Sequence, residues 1–368
     1  MYYGLHVNSK VISGKNCLIE NANLISEFGK KCLIVTSKTA AKKSGALDDM
    51  IDALNKCGTE YEIFDKITEN PLVSVVIEGG ETARKCGAEF VVGIGGGSAL
   101  DASKAVAICA CNPQYDIDGL YSRQVPSKAL PVILVGTTAG TGSEVTGVSV
   151  LTNDKTMQKK SIGGADCYAS LVFADSKYTY SVGYDVAVST GLDAFAHATE
   201  GWFSPRCDDI ARVYSTLALP KIYNGLKKLL NPENLHDAEV KDDLFYGSVF
   251  AGLQLNICGA AFPHTVGYVL TENFGIPHGK ACTALMPYFL GKAKRYENEK
   301  FNRFLEVLGD GEDEVINTVK TLTAVKNLGA TDSQIDEWCS RWGQVKNFDN
   351  TPGGFSNEEA KTALKELM

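Results

Sequence analysis

Basic residues are in short supply: 36 lysines and arginines stand against 44 aspartates and glutamates, a net charge of -8. A nucleic-acid backbone or an anionic membrane as main partner requires a concentrated basic face, so neither is expected. Long apolar runs are missing too. None approaches the ~20 residues of a membrane-spanning helix, and Met1-Tyr2-Tyr3-Gly4-Leu5-His6 has neither the basic start nor the apolar stretch of a secretory leader. The eleven cysteines are odd in number and include no Cys-x-x-Cys. That argues against a disulfide framework or a zinc ribbon, and for reduced thiols in a cytoplasmic protein. The chain also lacks a Gly-x-Gly-x-x-Gly fingerprint, a Gly-Lys-Ser/Thr phosphate loop, internal repeats and low-complexity tracts.

What remains is an ordinary globular composition, 44% hydrophobic and 22% charged, in a chain of 368 residues, long enough for two cores. Up to residue 182 strand and helix alternate. Apolar runs at Lys31–Thr36, Tyr61–Phe64, Phe90–Ile94, Pro131–Val135 and Leu171–Ala174 read as buried strands. The stretches between them, about Leu47–Cys57, Val73–Cys86 and Ala99–Ala107, read as helices, and Val148–Ser161 as a polar hairpin. This alternation predicts an α/β domain over residues 1–182, with a parallel sheet between helical layers. From Tyr184 the strand pattern stops and long helical stretches follow, so residues 183–368 are expected to form an all-α domain.

Two loops in the first domain are suited to a nucleotide. The strand ending at Ile94 runs into Gly95-Gly96-Gly97-Ser98 and then directly into a helix, which lets backbone N–H groups and the positive helix end approach a phosphate. The same glycines also serve a tight strand-to-helix turn with no ligand. After the strand ending at Val135, Thr137, Thr138 and Thr141 bring hydroxyls into a loop of small residues. Two such loops at the carboxyl ends of neighbouring strands face one crevice.

The second domain concentrates the scarce histidines. Of five in the chain, three fall at His197, His264 and His278. Asp193 and His197 are four residues apart in a segment free of proline, so on a helix both leave the same face. One carboxylate and three imidazoles suit Zn, Fe(II), Mn, Co or Ni better than Ca or Mg. An Asp-x-x-x-His pair also occurs as a surface hydrogen-bonding pair. Against that reading, His264 and His278 lie beside prolines in apolar surroundings, where an unpaired imidazole is costly to bury.

Four ordered motifs, Gly95-Gly96-Gly97-Ser98-x-x-Asp101-x-x-Lys104, Thr137-Thr138-Ala139-Gly140-Thr141-Gly142-Ser143-Glu144, Gly191-Leu192-Asp193-x-x-x-His197-x-x-Glu200, and His264 followed by Pro277-His278-Gly279, together resemble the iron-containing (group III) alcohol dehydrogenases from about residue 10 onward. The resemblance implies a dehydroquinate-synthase-like architecture, NAD(P)-linked interconversion of small alcohols and aldehydes, and a homodimer. It further implies Asp193, His197, His264 and His278 as ligands of Fe(II), or of Zn or another divalent metal. Gly95, Gly96, Gly97 and Ser98 would cradle the pyrophosphate near Asp101, with Thr137, Thr138, Thr141, Asn70, Lys159, Tyr178 and Ser181 at cofactor positions.

The chain departs from the family pattern in two places. Where many relatives carry a further histidine this chain has Tyr268, which leaves the proton route to Tyr268 or Lys159. NAD-using members commonly place an aspartate after the strand ending in Val-Thr, where it repels a 2′-phosphate; here Ser37 stands there, followed by Lys38, Lys42 and Lys43. NADP(H) is therefore expected over NAD(H). The rival readings are a dehydroquinate-synthase-like lyase using metal and NAD, a metal-dependent hydrolase, and a silent nucleotide-binding module. Few lysines or arginines surround the late histidines, which disfavours a multiply charged substrate there. Trp202, Phe203, Phe262 and Asn350 are candidates for pocket lining or for core.

Overall fold

The computed structural model describes residues 7–343 and 345–368, so Met1–His6, read above as lacking the features of a leader, lie outside the described residues. The chain divides into two compact units: an α/β unit running to Thr138 and resuming over Gly142–Val182, and a helical unit of Gly183–Met368 together with Ala139–Thr141.

The α/β unit is built on β1 (Lys10–Ser13), β2 (Lys31–Thr36), β3 (Glu60–Phe64), β4 (Phe90–Gly95) and β5 (Val132–Gly136), then the pair β6 (Val148–Thr152) and β7 (Lys159–Gly163), and finally β8 (Leu171–Ala174). Six strands form one sheet in the order β1-β8-β5-β4-β2-β3, every pairing parallel. Strands β4, β5 and β8 are buried throughout, as parallel strands covered on both faces must be. The expected hairpin forms as the antiparallel pair β6 and β7.

Glycines set how closely the covering helices approach. A Cβ on Gly93 would meet the Ser103 Oγ at 2.4 Å and a Leu134 methyl at 2.6 Å, so the helix Gly97–Cys111 lies directly on the sheet. Gly79 and Gly80 of the helix Val73–Cys86 do the same against Val106 and Cys109. Because β4 has β2 on one side and β5 on the other, the turns after β2, β4 and β5 lie side by side at the carboxyl edge.

The helical unit centres on the helix Tyr184–Phe203, buried almost all round from Ala187 to its end, which marks a core helix. Helices Asp209–Lys228, Ala238–Cys258, Phe262–Phe274 and His278–Ala284 surround it, and further helices follow to Lys365. Among the described residues no single helix is long and apolar enough to cross a membrane.

Candidate metal centre and nucleotide loops

Three helices bring the candidate ligands together, and two glycines let them. Gly279 sits against the backbone of Tyr184–Phe203, where a Cβ would lie 1.8 Å from the Ser189 carbonyl oxygen and 2.9 Å from the Asp193 Cβ. Only a residue without a side chain allows His278 to stand beside Asp193. Gly267, one turn after His264, meets the Cys282 backbone nitrogen at a projected 3.1 Å, closing Phe262–Phe274 onto His278–Ala284. The Asp193 Oδ1 is 3.5 Å from the His264 Nε2 and 3.7 Å from the His278 Nε2.

Glu200 holds this arrangement from behind. It is fully buried, three residues after His197 on the same helix. Its Oε1 lies 2.6 Å from the His264 Nδ1, and its Oε2 accepts the Ala261 N–H at 2.5 Å. Since Ala261 offers no side-chain cap, one carboxylate both closes the start of the Phe262–Phe274 helix and leaves the His264 Nε2 facing Asp193. Asn350 secures the preceding turn, donating to the carbonyls of Cys258 and Ala260 at 2.9 Å while accepting from the Ser204 hydroxyl at 2.6 Å.

The donor atoms fit a cation. Among the described residues the Asp193 Oδ1, the His264 Nε2 and the His197 Nδ1 are all buried without a hydrogen-bond partner, and each such group left unpaired costs about 1–3 kcal/mol. Burial opposes ionisation of Asp193, but His197, His278 and His264 outweigh it and hold the carboxyl well below its usual range. Burial, reinforced by His264, keeps His197 neutral, down to about 4, against the pull of Asp193 and Glu200. His264 is pushed the other way: burial opposes its charge, but Cys282, Glu200 and Asp193 outweigh burial and hold it well above the usual imidazole range, so a divalent metal binding there would displace its proton.

The four expected ligands are not placed equally. The group whose donor atoms all lie within 4.8 Å of one another is Asp193, His264, His278 and Cys282. His197 lies beside it, its ring against that of His264 with centroids 4.2 Å apart and planes 20° from parallel. Tyr268 packs its ring on His278 at 5.2 Å and 16°. Trp202, Phe203 and Phe262 are at most 1% exposed and belong to the core rather than to a pocket wall.

In the α/β unit, Gly95 takes φ 151° and a Cβ on it would meet the Ala99 Cβ at 2.7 Å, so the turn into the Gly97–Cys111 helix needs glycine. Gly96, Gly97 and Ser98 are half-buried at the N-terminus of that helix, an orientation that presents backbone donors to an anion. The Thr137 N–H donates to the Gly95 carbonyl at 2.9 Å, which ties the two loops together. Ser37 directly follows β2 and is half-buried, with Lys38, Lys42 and Lys43 exposed behind it; Asn70 is half-buried at φ 54°. Lys159 opens β7, half-buried, and Ser181 is exposed.

Two expected cofactor contacts find other work. Tyr178 is 0% exposed and donates its hydroxyl to Asp49 at 2.9 Å; with no accessible surface it packs the core. Asp101 spends both oxygens internally: one accepts from the Ser143 hydroxyl at 2.5 Å and faces Lys104 at 3.3 Å, the other accepts the Val150 N–H at 2.9 Å. The fully buried Lys104 also donates to the Ser143 hydroxyl and to the Val148 carbonyl. Asp101 thus braces the loops.

Sequence reasoning missed two site residues. Glu200 follows Asp193 and His197 at positions i, i+4 and i+7 of one helical face, a spacing that signals a carboxylate backing a histidine. Cys282 follows His278 by one helical turn, but looked like one more small buried thiol among eleven cysteines.

Comparison with known proteins gives a consistent match. Residues 8–176 match the family described as iron-containing alcohol dehydrogenase, and residues 187–344 match the C-terminal domain of the Fe-containing alcohol dehydrogenase family. Sulfoacetaldehyde reductase of Bilophila wadsworthia is 27% identical over 377 residues, covering 97% of this chain and 96% of that protein. An iron-containing alcohol dehydrogenase of Thermotoga maritima superposes with a TM-score of 0.91 at 31% identity, covering 100% of this chain and 99% of that one. Sulfoacetaldehyde reductase of Bifidobacterium kashiwanohense, solved in complex with NAD+, superposes with a TM-score of 0.88 at 30% identity and the same coverage.

Proposed function

Since this chain belongs to the iron-containing alcohol dehydrogenase family and is a metal-dependent alcohol dehydrogenase or aldehyde reductase, we propose that it reduces a small aldehyde with NADPH and holds its metal through Asp193, His197, His264 and His278. The carrying observation is the cluster of buried Asp193 and His264 donors, left without hydrogen-bond partners beside His278. When bound there, a divalent ion supplies Lewis acidity toward a carbonyl oxygen. The nicotinamide cofactor supplies the hydride.

The protein's own residues do the rest. Glu200 fixes the His264 ring by its Nδ1, so that the metal-facing nitrogen needs no reorganisation. Gly95 to Ser98, with Thr137 and Thr138, receive the cofactor's phosphates and ribose on backbone donors and hydroxyls. Ser37 leaves room for a 2′-phosphate, and Lys38, Lys42 and Lys43 supply positive charge near it. Proton transfer we assign to Tyr268, which packs on His278, with Lys159 as the alternative group. Cytoplasmic residence and a homodimer complete the reading, the first supported by eleven cysteines, all free thiols in the structure.

A panel of small aldehydes, beginning with sulfoacetaldehyde from the relatives' activities, assayed with NADPH and NADH beside metal analysis, tests this reading. Oxidation of NADPH faster than NADH by metal-loaded protein is the expected result. Faster turnover with NADH would retire the NADP assignment, and metal-free protein of full activity would retire the ligand set. Tyr268→Phe and Lys159→Met separate the proton donors: the true donor's loss lowers kcat and reshapes its pH profile.

A further inference from the structure

The loop after the Tyr184–Phe203 helix brings together two thiols that neither the metal centre nor the nucleotide loops use. Cys207 is half-buried next to the exposed Pro205 and Arg206, whereas Cys258, the last residue of the helix Ala238–Cys258, is 0% exposed. Side chains tie the two segments together. The Ser204 hydroxyl accepts the Arg206 N–H at 3.1 Å and donates to the Asn350 Oδ1, while the Asn350 amide donates to the Cys258 carbonyl at 2.9 Å. A Cβ on Gly259 would meet the Arg206 guanidinium at 2.3 Å, so the neighbours of the two cysteines are also in contact.

The Cys258 thiol donates to the Cys207 sulfur. That hydrogen bond, with the positive charges of Arg212 and Lys300, outweighs burial and brings the Cys207 thiol down to about 7. Burial pushes Cys32, Cys109 and Cys167 up to about 12. Cys258 is raised as well, its proton held against Cys207 and its burial adding to the effect. The pair is thus divided in function. Cys207 is the nucleophilic thiolate and is reachable from solvent; Cys258 keeps its proton and stands behind it.

We propose that Cys207 and Cys258 form an oxidation site for small hydroperoxides, in which Cys207 is oxidised first and Cys258 resolves it to a disulfide. The Cys207 sulfur attacks the terminal oxygen of the hydroperoxide: an S–O bond forms, the O–O bond breaks, and the departing oxygen takes a proton from solvent. Cys207 is left as a sulfenic acid. The Cys258 thiol then gives up its proton and its sulfur attacks that of Cys207, so that the S–S bond forms, the S–O bond breaks and water leaves. Two thiols lose two electrons and the hydroperoxide gains them. The Cys207 loop is the part that moves to bonding distance, because Cys258 is buried and its carbonyl is held by Asn350.

The test reads the sulfurs directly and depends on neither the metal nor the cofactor reading. Full-length protein with its metal is treated with hydrogen peroxide at neutral pH, its remaining thiols are alkylated, and unreduced peptides are mapped by mass spectrometry. The expected product is a peptide pair linked through Cys207 and Cys258, separated by dithiothreitol, at peroxide doses that leave Cys32, Cys109 and Cys167 as thiols. Cys258→Ser keeps a hydrogen-bond donor but no resolving sulfur; checked for folding by its melting curve, it is expected to carry a sulfenic acid at Cys207 that dimedone traps. The wild-type map is decisive without any variant. Recovery of Cys207 as a free thiol while other cysteines are oxidised overturns the proposal, as does a disulfide from Cys207 to any cysteine other than Cys258. A folded Cys258→Ser protein with no dimedone label at Cys207 overturns the assignment of Cys207 as the sulfur attacked first.

Discussion

The two units build their candidate sites by opposite means. In the α/β unit the groups proposed to meet a ligand are backbone and small side chains at the ends of strands β2, β4 and β5, each within a contiguous run of a few residues. In the helical unit the groups are side chains of Asp193, His264 and His278, as much as 85 residues apart in sequence, assembled where glycines let helices touch. Outside the Gly95 turn, a loop site is therefore tolerant of small changes in side-chain volume, as at Gly96, and sensitive to charge. A helix-junction site is intolerant of a single added methyl, because its geometry is held by backbone contact.

Glycine substitution tests that contrast most severely. Gly279→Ala places a Cβ 1.8 Å from the Ser189 carbonyl oxygen, and no rotamer relieves a clash with backbone. We expect a loss of about 3 kcal/mol or more in stability and of bound metal, measured by urea denaturation and elemental analysis. Gly96→Ala meets only the Thr138 side chain, at 3.1 Å, and is expected to cost under about 1 kcal/mol. Equal effects at the two glycines would remove the distinction between the units.

Next in size are the side chains of the helical site. His264→Ala is expected to abolish metal retention and turnover together while leaving cofactor binding by the α/β unit intact, which fluorescence titration with NADPH reads separately. Glu200→Gln keeps the shape but weakens the partner of the His264 Nδ1, with an expected loss of about 10- to 100-fold in metal affinity. Unchanged metal affinity would mean that the His264 ring is oriented by packing alone.

In the α/β unit charge is the lever. Ser37→Asp adds a carboxylate at the end of β2, where, on the proposed NADP reading, it would repel a 2′-phosphate and accept ribose hydroxyls. The ratio of kcat/KM for NADPH over NADH is expected to fall by at least about tenfold, a change of about 1.4 kcal/mol. A ratio that does not move would place the cofactor's ribose elsewhere.

The same contrast governs how much of the protein could be read from its residues. Strands β2, β4, β5 and β8 and the helix Val73–Cys86 were legible because each is a local apolar run bounded by turn residues. Strand β1 was not: it has four residues and partial burial, and among the described residues it pairs only with β8, some 160 residues on. His264 and His278 stood out because histidine is scarce, and Asp193 because it lies one helical turn from His197; the structure brings the three side chains together. Cys282, by contrast, was hidden by the abundance of its own residue type. Tyr178 and Asp101 were placed at cofactor positions by motif alone, and motif position carries no information about burial. The structure spends both on internal hydrogen bonds.

The smallest expected effect concerns a second buried carboxylate. Asp193 is ionised by the imidazoles around it, but Glu144, fully buried in the short turn Ser143–Val145, is pushed the other way. Burial raises its pKa, only partly offset by its own backbone N–H and by Lys104, and its Oε1 has no hydrogen-bond partner. The folded state therefore holds a proton that the unfolded chain releases near pH 4.3. Stability from this group is complete below that pH and is lost as pH rises through the folded value, at a limiting slope of about 1.4 kcal/mol per pH unit. Glu144→Gln has no proton to lose, so its stability relative to the wild type is expected to climb between pH 5 and the folded pKa, read from urea midpoints across that range. Parallel curves for the two proteins would show that a cation, most directly Lys104, keeps Glu144 ionised, and that both units hold their buried carboxylates by the same means.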